Sequence, residues 1–265
     1  MDEMKLLGQG REAEVFARPD GSVLKLLREP GQSADREIAA LDAVANGDAL
    51  VPGVLGQTTV GGRPGILLER VDGPDLLSLV GSRPWLLRRA GRVMAEVHAR
   101  LHAVTAPPVL PDLRAELAHR IRSVPRLPAD LASRALSILD GLPDGDRLCH
   151  GDFHLGNILG GLDHPVVIDW GEAARGDPVA DVANTWLLHR MGQPPPGTPL
   201  HMRIAIPVAR GVVVSRYLSS YRRVHPFDAD LYRRWQIVRV AARFYAGIDE
   251  EVETLTAWLR AHGPA

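Results

Sequence analysis

Residues 150–157 read His-Gly-Asp-Phe-His-Leu-Gly-Asn, and Asp169 follows twelve residues after Asn157, at the end of the apolar run Val166-Val167-Ile168. Three oxygen-bearing side chains, Asp152, Asn157 and Asp169, are thus carried by two short loops. Arg147-Leu148-Cys149 leads into the first loop and Ile158-Leu159 leaves it. Gly160-Gly161 and Asp163-His164-Pro165 then supply a turn, so the loop lies close to a hairpin whose return strand delivers Asp169. One of the three side chains can accept a proton. The other two are hard oxygen ligands of the kind that hold magnesium beside phosphates. Two blander readings stand beside this one. Asp152 could simply cap a turn N–H. Cys149, His150 and His154 could hold zinc, although two of them are adjacent and the usual C-x-x-C pairing is absent.

The run H-G-D-x-x-x-x-N, then Ile168-Asp169-Trp170-Gly171, then Asp177-Pro178-Val179-Ala180-Asp181, resembles the aminoglycoside phosphotransferase and choline kinase family. The likeness is specific over 148–183 and diffuse elsewhere between about 4 and 190. It implies the bilobal α+β fold of protein kinases. A small antiparallel-sheet N-lobe with one main helix would occupy 1–70, and a larger, mostly helical C-lobe 71–265. It also implies a small-molecule kinase that moves the γ-phosphate of ATP or GTP to a hydroxyl of a small acceptor. Asp152 would be the base, and Asn157 and Asp169 would hold Mg2+. His150 would support the loop through its ring rather than act as base. Asp177 and Pro178 open a helix as cap and first residue. Asp181, in its first turn, would brace the loop from below, the alternative being an ordinary capping acid.

The amino-terminal segment holds two further candidates. Leu6-Leu7-Gly8-Gln9-Gly10-Arg11-Glu12-Ala13, with a strand at 14–17, a turn at Pro19-Asp20-Gly21 and a return strand at 22–27, reads as a glycine-loop hairpin. Gly8 and Gly10 would cover phosphates; Ala13 stands where a third glycine is usual. Of 31 Lys plus Arg, only Lys5 and Lys25 are Lys, so a Lys kept between Leu24 and Leu26 suggests a need for a compact ammonium. The resemblance implies that Lys25 meets the α- and β-phosphates and pairs with a Glu on the next helix. That helix is read over 33–46 with Ser33 as cap, and Glu37 is the candidate partner. The alternatives are an edge-strand Lys25 and a solvated Glu37. Strands at 54–60 and 65–69 complete the sheet. Gly73-Pro74 ends it, and Glu69 and Val71 are hinge candidates for purine contact by resemblance only.

From 75 onward the pattern is helical, at 84–105, 112–122, 129–140, 178–190, 200–223, 228–247 and 249–261. A stiff loop, Gln193-Pro194-Pro195-Pro196-Gly197, interrupts it. Helix 84–105 places Leu87, Gly91, Met94, Val97, His98 and Leu101 on one stripe. His98 and His102 read as a packed or solvated pair rather than metal ligands, because no H-E-x-x-H pattern joins them. A net charge of −1 gives no global field to recruit nucleic acid or membrane, and no apolar run approaches bilayer length. One cysteine excludes an internal disulfide and suits a reducing cytosol, so the expected location is cytoplasmic. The expected partners are a nucleoside triphosphate and a small hydroxyl compound, with no protein partner implied. Segment 201–245 holds nine Arg against Asp228 and Asp230. If these Arg line the acceptor pocket they disfavour a polycation, and if they face solvent they do not. Trp186, Tyr217, Tyr221, Trp235 and Tyr245 could form a cage for a quaternary amine or pack in a core. A catalytically inactive, regulatory nucleotide-binding pseudokinase is the alternative function. It is disfavoured because base, metal ligands and Lys are all kept.

Overall fold

The computed structural model describes residues 4–10, 12–30, 32–45, 50–191 and 200–263. Five strands, β1 (Lys5–Gln9), β2 (Ala13–Ala17), β3 (Val23–Leu27), β4 (Val54–Val60) and β5 (Arg63–Leu68), form an antiparallel sheet in the order β1-β2-β3-β5-β4. Helix α1 (Asp35–Ala45) joins β3 to β4. The Ser33 hydroxyl accepts the Asp35 N–H ahead of its first turn, at 3.1 Å. β3 is the central strand and is buried along its whole length, so Lys25 is not an edge residue.

The second lobe is mostly helical. It contains α2 (Leu76–Ser82), α3 (Leu87–Leu101), α4 (Leu113–Arg122) and α5 (Ala129–Asp140). Four short strands follow: β6 (Arg147–Cys149), β7 (Ile158–Leu159), β8 (Val166–Val167) and β9 (Ala174–Gly176). Then come α6 (Pro178–Met191), α7 (Leu200–Val224), α8 (Ala229–Arg243) and α9 (Asp249–His262). This mixed α+β, two-lobed arrangement is the kinase-like one that the motifs implied.

Three readings need correction. Helix α2 was not separated out of the helical stretch; the Asp75 carboxylate caps it by accepting the Ser78 N–H at 2.8 Å. The reading of 84–105 as one helix divides into a 3₁₀ turn at Pro84–Leu86 and α3, which stops at Leu101. The reading of 228–247 stops at Arg243, where a 3₁₀ turn leads to Gly247 at φ 69°. The Pro-rich segment 193–197 lies outside the described residues.

The helical core is centred on α3, α6, α7 and α8. Trp170, Trp235, Tyr217, Tyr221 and Phe153 are its largest fully buried side chains. Three members of the suggested aromatic cage are therefore core residues. Trp186 packs on Trp258 at 5.4 Å between ring centres, which leaves only Tyr245 beside the cleft. Gly91 lets α3 and α7 approach closely: a Cβ there would lie 2.6 Å from the Val213 carbonyl oxygen. Among the described residues no helix is long and apolar enough to cross a membrane.

Candidate functional site

β6 pairs with β9, and β7 pairs with β8, so each end of the 150–157 loop is anchored to a different partner strand. Gly151 sits at φ 81°, and a Cβ there would run into the Glu172 carbonyl oxygen. A glycine is required for both reasons. The His150 N–H donates to Asp181 Oδ2 at 2.6 Å, and the Gly151 N–H to Asp181 Oδ1 at 3.1 Å. Asp181 is thus not capping its own helix; its carboxylate holds two backbone groups of the loop. The His150 Nδ1 accepts the Asp152 N–H at 3.1 Å, which leaves Nε2–H to donate to the Ile168 carbonyl at 3.1 Å. Both ring nitrogens are used, and burial lowers the pKa of this imidazole. Such a ring shapes the loop and is not available as a base.

Asp152 turns a partly exposed carboxylate into the cleft between the lobes. Asn157 is buried. Its Nδ2 donates to the Asp152 carbonyl at 2.9 Å and to Asp152 Oδ2 at 3.2 Å, which directs the amide nitrogen towards Asp152. The Ile168 N–H donates to the Asn157 carbonyl at 3.0 Å, continuing the β7–β8 ladder. That bond brings Asp169 next to Asn157, across twelve residues of sequence. Asp169 has φ 66°, the one non-glycine residue with positive φ among those described. A conformation of this kind costs on the order of 1–2 kcal/mol and persists only where the surroundings impose it.

The Lys25 ammonium holds the Asp169 side chain from the sheet. Its Nζ donates to both Glu37 carboxylate oxygens, at 2.8 and 2.6 Å, and to Asp169 Oδ1 at 2.7 Å. Glu37 is buried, so the solvated alternative does not hold. Burial alone would lower the Lys25 pKa, but Glu37 and then Asp169 outweigh it and hold the ammonium above its ordinary value. Burial would likewise raise Asp169, and Lys25 outweighs it and keeps that carboxyl low. Lys25 and Asp169, 144 positions apart and in different lobes, are thereby joined directly.

The cleft measures ≈ 960 Å³ and is also lined by Gly8, Gly10, Glu69 and Val71. The Glu69 N–H is already given to the Gly53 carbonyl at 2.9 Å. Two acidic residues escaped the motif reading. Glu12, in the glycine loop, approaches Gly171, and burial together with Glu172 and Asp169 raises its pKa. Glu172 faces the Arg120 guanidinium. The i,i+4 pair Glu116–Arg120 on α4 is the only local sign of that cluster. Its other links run between residues far apart in sequence.

His98 and His102 meet beneath the loop. Their Nε2 atoms lie 3.1 and 3.4 Å from Asp181 Oδ2, and their Nδ1 atoms lie 2.7 and 2.6 Å from the Tyr217 and Tyr221 hydroxyls. Three possible ligand atoms converge here, yet each ring nitrogen already has a hydrogen-bond partner. Burial pushes His98 down to about 3, so it is neutral. Burial would raise Asp181, but the bonds from His102 and His98 outweigh it and hold its carboxyl well below the usual range. Cys149 points its thiol at the Asp177 carbonyl, at 3.7 Å, and does not join His150 and His154 in a metal site.

The pattern described as the Phosphotransferase enzyme family matches residues 3–227. No curated protein matches the sequence. Among solved structures, an aminoglycoside-3'-phosphotransferase of type VIII superposes with a TM-score of 0.61 at 18% identity, covering 89% of this chain and 92% of the other. An ADP-bound aminoglycoside phosphotransferase APH(2'')-Ib gives 0.57 at 15% identity, with 98% and 92% covered. A streptomycin–ATP ternary complex of APH(2'')-IIa gives 0.55 at 13% identity, with the same coverage. At these identities the likeness is one of fold.

Proposed function

The chain belongs to the Phosphotransferase enzyme family and acts as a phosphotransferase on hydroxyl groups, and from that premise we propose that it transfers the γ-phosphoryl group of ATP to a small alcohol with Asp152 as base. The observation that carries this reading is the Lys25–Glu37–Asp169 cluster, assembled across the cleft that Asp152 also lines. Phosphoryl transfer asks mainly for positioning and charge neutralisation. In the proposed reaction an acceptor oxygen bonds to the γ-phosphorus, its proton passes to the Asp152 carboxylate, and the bond to the departing ADP oxygen breaks. The loop bonds from Asp181, His150 and Asn157 keep Asp152 from turning away from the acceptor.

ATP is preferred over GTP as donor because two of the fold relatives were captured with ADP and with ATP. Lys25 would give its N–H groups to phosphate oxygens, with Glu37 holding it in place. Gly8 and Gly10, which line the cleft, would cover the phosphates. The donor set also fits Mg2+: Asp169 Oδ2 takes no bond from Lys25, and the Asn157 oxygen lies opposite its committed nitrogen. Bound there, Mg2+ would neutralise the charge of the phosphate oxygens. The pseudokinase alternative is disfavoured, since the residues proposed as base and as metal ligands are all kept beside the Lys25–Glu37 pair.

The direct test is phosphorus NMR of the protein with ATP, magnesium and a mixture of hydroxyl compounds. Formation of ADP together with a phosphomonoester is expected. Equal nucleotide affinity with and without magnesium would contradict the metal assignment.

A further inference from the structure

The nine arginines of 201–245 are sorted by the fold. Arg222, Arg223 and Arg233 are exposed, Arg210 and Arg216 are half-buried, and Arg234 is bonded to the Gly141 carbonyl at 2.8 Å. The Arg203 side chain lies outside the described residues. Arg239 and Arg243, one turn apart on α8, line the same cleft as Asp152, on the side of the helical lobe. Tyr245 and Arg120 complete that wall.

These basic groups differ in how they are neutralised. Arg243 makes a two-pronged pair with Glu251, at 2.8 and 3.1 Å. Arg120 is held by Glu172, with Glu116 at 3.7 Å. Arg239 is 96% buried, its relative exposure being 4%. Its Nε–H goes to the Ala180 carbonyl at 2.9 Å. The nearest carboxylate oxygen, Asp181 Oδ1, is 3.9 Å from Nη2, beyond hydrogen-bond reach, and Nη2 has no partner. Asp181 is also committed elsewhere, to two backbone N–H groups and two imidazoles. Among the described basic residues of the cleft wall, Arg239 alone lacks a hydrogen-bonded carboxylate. A buried guanidinium retains its charge, and its planar fork suits a carboxylate or phosphate.

Building on the phosphotransferase reading, we infer that the acceptor carries an anionic group beside its reacting hydroxyl, and that Arg239 is the residue that receives it. Carboxylate and phosphate share the required chemistry, an anionic oxygen that accepts from the guanidinium on its cleft side, Nη2 itself being sealed from solvent. A polycationic acceptor would place like charge against this wall. Of the acidic residues that line the cleft, Glu12, Glu37, Glu69, Asp72 and Asp169 are assigned to the nucleotide side, Glu172 is already paired to Arg120, and Asp152 faces the acceptor as the proposed base.

The test is calorimetric titration of the intact protein saturated with magnesium and a non-hydrolysable ATP analogue. The probes are glycerate, glycerol 3-phosphate, uncharged glycerol and kanamycin. At least one anion is expected to bind tenfold or more tightly than glycerol, and whichever does so identifies carboxylate or phosphate. Arg239→Gln should remove that advantage, and Arg239→Lys should restore part of it. Neither anion exceeding glycerol in the wild-type protein, or kanamycin binding more tightly than both, overturns the inference without reliance on a variant. The nucleotide titration that precedes the probes separates the two readings. Failure there rejects phosphotransfer, whereas success there with no anion preference rejects only the anionic acceptor.

Discussion

The carboxylate of Asp152 meets the cleft while its backbone is held on both sides, by the His150 ring and by the Asn157 amide. Asp152→Asn keeps shape and backbone bonds but removes the acceptor for a proton. Turnover should fall by roughly 10²–10⁴, the range of a positioned base, while calorimetry finds nucleotide binding intact. Near-wild-type turnover would reject Asp152 as base. Lys25 invites a different experiment. Lys25→Met strands the buried Glu37 carboxylate without its cation, and unfolding stability should drop by about 3–5 kcal/mol. Adding Glu37→Gln removes the stranded charge, so the double variant should be more stable than Lys25→Met alone in denaturant titration. A strictly additive double variant would show that the pair is not coupled.

At the scale of elements, local pattern carried far. β4 occupies the 54–60 span read for it, and α4, α5 and α6 begin within a residue of the starts read for them, α6 directly after its Asp177 cap. The 150–157 loop and its following hairpin were legible because turn residues and short apolar runs act over a few positions. Helix α2 was not, since seven residues behind Gly-Pro are too few to display a period. Nor could the chain announce that Arg36 on α1 reaches Glu116 on α4, at 2.9 Å through both Nη groups. Contacts across eighty residues leave no local trace. Nothing in the pattern of α8 distinguished Arg239 from the exposed Arg233 of the same helix either, because burial there is set by α6. The α3–α7 contact yields a prediction. Alanine is worth about 1 kcal/mol over glycine inside a helix, but at Gly91 the new methyl meets backbone at 2.6 Å and also Arg216 Cβ at 3.1 Å. Overpacking of this kind costs about 1–3 kcal/mol. Gly91→Ala should therefore lower the thermal midpoint, and a raised midpoint would show that the helices can separate freely.

For the molecule as a whole, neutral buried histidines set a limit on acid tolerance. Burial pushes His98 from 6.5 to about 3 and His189 from 6.5 to about 4. Between those values and 6.5 the unfolded chain binds protons that the folded one refuses, so stability rises with pH across this window. It is complete above about 6.5 and drains as pH falls towards the folded values. Two such groups predict a loss of roughly 2–3 kcal/mol between about pH 7.5 and about pH 5.5, measurable by urea unfolding. A flat profile would mean that these rings are protonated in the fold.

The helix bearing Glu37 has a further property. Arg36, its neighbour, is fastened by three bonds to the other lobe, two to Glu116 and one to the Ala173 carbonyl at 2.6 Å. Only seven residues separate Asp169 from Asp177, and three of them are committed to β9. A helix tied at its first turn, beside so short a segment, is held in its working place by the chain's own contacts. On the proposed reading this machine has no off position. A freshly made, unmodified chain should run without a lag, and its output should follow the supply of substrate alone.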